Sequence, residues 1–313
     1  MSHTQAGSIL TRIGELEQAS RDEVEARIGD VFRDGVIARA EAEALVRLTP
    51  RFSQSVPSWN ARMIEAVCDY LLEQESPLKW ITDDEADWLI GLIRARKGKA
   101  LTGDIDLLLT LVRKAEGAPP RLGHFALELV CNRITEIGQA LDEDVERVRS
   151  AVYAQASEGG LWVTRKEATL LFRTNDAISE ADNVVSWNDL FARTIGNHLL
   201  AAAHPDPLTE MEAFARGHWL SRPDGGVLSD FSSMFGGGRW FERLAYDPKK
   251  AALARRAAKD AARRAGEEVT EEEAGWVLRR LRWEAQASPA EQALVEFLKR
   301  EAPGFADGLT VAV

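Results

Sequence analysis

The sequence predicts an all-α protein of two tandem, homologous helical lobes, and three observations predict it. Apolar residues recur at three- and four-residue spacing along most of the chain, the stripe an amphipathic helix buries, while alternating strand patterns are scarce. The stretch at 81–90, ITDDEADWLI, returns at 269–278 as VTEEEAGWVL, with threonine, glutamate, alanine and tryptophan in the same relative places. The series Trp59, Met63, Val67, Tyr70 and Leu71 returns as Trp187, Phe191, Ile195, His198 and Leu199, headed by Ser58-Trp59-Asn60 and Ser186-Trp187-Asn188.

Taken in chain order, residues 1–19 read as a flexible N-terminus and 20–135 as the first lobe. That lobe opens with GVIARAEAEALVRL at 35–48, followed by the helix headed by Trp59. The 81–90 stretch comes next, and TGDIDLLLTLVRK at 102–114 closes the lobe. The second lobe, 140–313, repeats the order with LWVTRKEATLLFRT at 161–174, in which Val163 and Glu167 answer Ile37 and Glu41. It goes on through the Trp187 helix and the 269–278 stretch to SPAEQALVEFLKR at 288–300, paired with Thr102 against Ser288. Repeats of this kind are what duplicated helical units leave in a sequence. One insertion separates the copies, at about 203–266. It holds a glycine-rich aromatic loop, SRPDGGVLSDFSSMFGGGRWF, and a basic helix, PKKAALARRAAKDAARRAG.

Each unit starts with an aliphatic residue, then threonine in three of the four copies, and a glutamate three positions after the threonine. Thr82 with Glu85, Thr164 with Glu167 and Thr270 with Glu273 form the capping-box pattern; the first copy has Ala38 before Glu41 and makes half of it. The same residues also satisfy the last positions of a calcium-binding EF-hand loop, where an aliphatic residue precedes a bidentate glutamate by four. The first copy, DVFRDGVIARAE, adds Asp30, Asp34 and Gly35 at loop positions that supply ligands and the turn. Phe32 occupies a position where calcium requires an oxygen, so the capping explanation is preferred and calcium is kept as the alternative.

On these residues, DGVIARAEAEAL and ITDDEADWLI, the chain resembles EF-hand-like and TerB-like helical proteins of bacteria, the tellurite-resistance type among them. The resemblance implies two EF-hand-like or TerB-like units per lobe. It also implies a metal link in which only Asp30, Asp34 and Glu41 could serve as ligands.

Composition bounds the function. A net charge of -11 argues against attraction to nucleic acid or anionic lipid, and no apolar run reaches membrane-spanning length. Cys68 and Cys131 stand in apolar helical patterns, which reads as a reducing, cytoplasmic setting. The five histidines show no helical zinc spacing, and no nucleophile elbow, phosphate loop or dinucleotide fingerprint occurs. His198 aligns with Tyr70 and so reads as an aromatic slot, and the acidic residues read as polar faces and first turns. Within the insertion, Phe231, Phe235, Trp240 and Phe241, with the cations Arg255, Arg256, Arg263 and Arg264, are candidate contacts for another protein. The expected function is a non-enzymatic interaction or scaffold protein with no cofactor; the alternative is a calcium-responsive sensor using Asp30, Asp34 and Glu41.

Overall fold

The computed structural model describes residues 14–15, 19–24, 26, 38–96, 100–154, 163–201, 271–281 and 287–301. Their regular structure is helical. Among the described residues there is no strand, and a single bridge joins Trp80 to Gly117. None of the described helices is long and apolar enough to cross a membrane.

The chain divides into two compact units, Met1–Arg133 with Ser150–Glu158, and Ile134–Arg149 with Gly159–Val313. The first contains α1 (Arg39–Phe52), α2 (Trp59–Asp69), which runs on into a π-helical turn at Tyr70–Gln74, α3 (Asp83–Arg94) and α4 (Thr102–Lys114). Next come α5 (Pro120–Ile137) and α6 (Asp142–Tyr153), each of which has residues in both units. The second unit holds α7 (Arg165–Ala177), α8 (Val185–Ala201), α9 (Glu271–Arg280) and α10 (Pro289–Glu301).

Local chemistry sets these boundaries. Pro120 opens α5, where its missing N–H costs nothing, and Gly138 closes it in the left-handed region at φ 83°, with its N–H donating to the Ile134 carbonyl at 2.9 Å. In α1 the buried residues Ala42, Leu45, Val46, Thr49 and Phe52 fall on one stripe, which faces α2 and α3. Trp59, Met63 and Val67 of α2 lie buried against it, and α2 packs in turn on α4. At that crossing a Cβ on Gly103 would stand 2.6 Å from Asn60 Oδ1 and 3.3 Å from the Thr49 methyl, so any larger residue there requires Asn60 to move.

In the second unit α8 packs against α7 and α10. Phe172 meets Phe191 and Trp276 edge-on, with ring centroids 5.1 and 5.5 Å apart. A Cβ on Gly196 would collide with the Phe297 ring, so α8 and α10 also approach through a glycine. Burying one such large apolar side chain stabilises by about 1.5–3 kcal/mol, and each unit holds a set of them.

Backbone N–H groups of the cap residues start α4 and α10. In α10 the cap residue is Ser288, whose N–H donates to Glu291 Oε2 at 2.7 Å. In α4 the matching bond runs from the Leu101 N–H to Asp104 Oδ2 at 3.1 Å. Leu101 and Ser288 are thus the residues that cap α4 and α10. Leu101 has no side-chain oxygen, so it does not read as a cap in the sequence.

Candidate functional site

The site residues proposed from sequence fall in two groups. Asp30 and Asp34 lie outside the described residues, as do Phe231, Phe235, Trp240, Phe241, Arg255, Arg256, Arg263 and Arg264. Glu41 is described. Its side chain is fully buried and its Oε2 accepts from the Ala38 N–H at 3.1 Å, while Ala38 has no side-chain oxygen and the Glu41 N–H donates to the Ala38 backbone carbonyl at 3.0 Å. At the start of α3 the Thr82 N–H donates to Glu85 Oε2 at 2.7 Å and the Glu85 N–H to Thr82 Oγ1 at 3.3 Å. Thr164 and Glu167 make the same reciprocal pair at 2.8 and 3.2 Å. Thr270 and the side chain of Glu273 lie outside the described residues. Among the described residues no three His, Cys, Asp or Glu side chains gather as metal ligands.

The acidic residues correct one expectation. Asp104, Asp144, Glu167 and Glu291 are buried, although each stands in the first turn of its helix. A carboxylate can leave water there because the orphan N–H groups and the positive end of the helix dipole replace its hydration. Asp104 is also held by Arg96, whose guanidinium donates to both of its oxygens at 2.8 and 2.6 Å.

Other groups that could do chemistry are engaged in structure. His198 donates from Nδ1 to the Val163 carbonyl at 2.8 Å and packs edge-on against Trp276 at 5.2 Å, the aromatic slot expected for it. The neighbouring Asn197 accepts from the Val163 N–H at 2.9 Å, so α8 grips the residue before the α7 cap from both sides of its backbone. Arg165 lies over the Trp276 ring at 5.5 Å, as Arg39 lies over Trp88 at 4.8 Å. Cys68 and Cys131 are buried free thiols, and burial pushes Cys68 up to about 12, which keeps it protonated and unreactive.

The segment between α2 and α3 is different. Residues 77–80, Pro-Leu-Lys-Trp, project outward, with Leu78 59% and Trp80 50% exposed. The backbone beneath them is tightly specified. Lys79 occupies the left-handed region at φ 62°, unusual for a residue with a side chain; its N–H donates to Leu72 O at 2.7 Å and its carbonyl accepts from the Glu116 N–H at 2.8 Å. The Ile81 N–H donates to Gly117 O at 3.0 Å, and the Trp80 ring rests on Gly117, where any Cβ would collide with it. Two large apolar side chains are thereby displayed from a fixed platform. The sequence contained a signal for this, since Leu78 and Trp80 sit beside a proline between two helices and belong to neither apolar stripe.

No protein-family model matches the chain, and no curated protein or solved structure is significantly similar to it.

Proposed function

We propose that this protein is a non-enzymatic interaction or scaffold protein of the bacterial cytoplasm, built from two copies of one helical lobe. The observation that carries this reading is the rigid display of Leu78 and Trp80 on the 77–80 tip. Large apolar side chains held in water by an ordered backbone suit docking better than they suit stability of the free chain. The two-copy reading draws support from matched placements. In both units an indole N–H reaches the same position of the preceding helix, Trp59 to Thr49 at 3.4 Å and Trp187 to Asn175 at 3.2 Å. Both units also stack an arginine on the tryptophan of the repeated ten-residue stretch. In this reading the EF-hand-like and TerB-like glutamates serve as helix caps, and the 203–266 insertion adds a second, partner-specific surface.

Affinity capture from the native cells tests it, with the full chain, the Leu78→Asp chain and a chain lacking 203–266 as baits. A partner retained in near-stoichiometric amount by the full chain and lost by one of the variants is the expected result. The reading fails if all three baits retain the same background. Calcium titration followed by tryptophan emission tests the alternative; saturable micromolar binding that disappears in Asp30→Ala would replace the scaffold by a sensor.

A further inference from the structure

We draw no further inference here: the strongest candidate, the exposed pair Leu78 and Trp80 on the 77–80 tip between α2 and α3, carries nothing, because the exposed Arg113 and Lys114 offset the carboxylates of Glu73 and Glu116 around it and nothing in the structure shows what covers it.

Discussion

Unit one closes its central tryptophan junction with a single hydroxyl, and unit two closes the corresponding junction with a chain of side chains. Thr49 accepts from the Trp59 indole at 3.4 Å and donates to the Leu45 carbonyl at 3.2 Å, while its methyl faces Gly103. Asn175 accepts from the Trp187 indole at 3.2 Å and donates to Ser288 Oγ at 3.2 Å, and that oxygen also accepts from the Glu291 N–H at 3.3 Å. Three helices, α7, α8 and α10, are thus joined by one buried polar run. The lesson is that polarity changes as a set. Asn175 has a partner in Ser288, whereas Thr49 turns a methyl to Gly103 and α4 is capped by Leu101. A half-exchanged set would strand a buried donor or acceptor, which costs more than either complete arrangement.

The largest effect expected from breaking these junctions comes from the tryptophans. Both indoles are fully buried, so Trp59→Ala and Trp187→Ala should each cost about 3–5 kcal/mol in denaturant unfolding. Trp187→Ala should sit at the upper end, because it also removes a partner of Asn175. Equal costs for the two would mean that the second unit gains nothing from its longer polar run.

Removing the acceptors is the next step down. Asn175→Ala deprives the Trp187 N–H and the Ser288 hydroxyl of a buried partner at once, and should cost about 1–3 kcal/mol. Thr49→Ala removes one long bond and should cost about 1 kcal/mol or less. The double variant Asn175→Ala with Ser288→Ala should cost less than the two single variants added together, since each leaves the other's partner stranded. Additive costs would show that the run is not a unit.

How much of this could be read in advance depends on where each signal lies. Helix positions and the tryptophan series were legible because they depend on a period, and the period survives in one sequence. The capping glutamates were legible for the same reason. Asp104 was not, because Leu101 offers no side-chain oxygen and the bond that matters comes from its backbone. Asn175 and Ser288 stand 113 positions apart, so no local pattern could join them. The 77–80 tip was visible only as letters outside the stripes, and its exposure depends on the Gly117 seat, which is contributed by another segment. Of the calcium ligands and insertion residues named from sequence, only Glu41 lies within the described residues.

A smaller effect, in the opposite direction, is expected where the two units differ in their first caps. Ala38 has φ -144° and ψ 147°, the extended backbone that Thr164 also adopts at -71° and 158°. Glu41 already supplies its half of the box. Ala38→Thr should therefore complete the box and stabilise the first unit by about 0.5–1 kcal/mol, while Thr164→Ala should cost the second about 1 kcal/mol. A loss on Ala38→Thr would show that the threonine does not fit above Glu41.

The smallest effect at neutral pH, and the sharpest in sign, is expected at Asp104. Burial holds this carboxyl above its ordinary value of 3.8, against the opposing pull of Arg96 and the Leu101 N–H. Its side chain is 1% exposed and that of Arg96 is 19%, so the desolvation falls mainly on the acid. The native state therefore holds the proton more tightly than the unfolded chain. The group's contribution to stability is fully present below 3.8 and is lost as pH rises through its raised native value. Asp104→Asn keeps an oxygen for the Leu101 N–H and cannot titrate, so at pH 7 it should change stability by no more than about 1 kcal/mol. The stability of wild type relative to this variant should fall between pH 3.8 and 7. A cost of several kcal/mol at pH 7, or a relative stability that rises with pH, would mean that the Arg96 pair outweighs the burial.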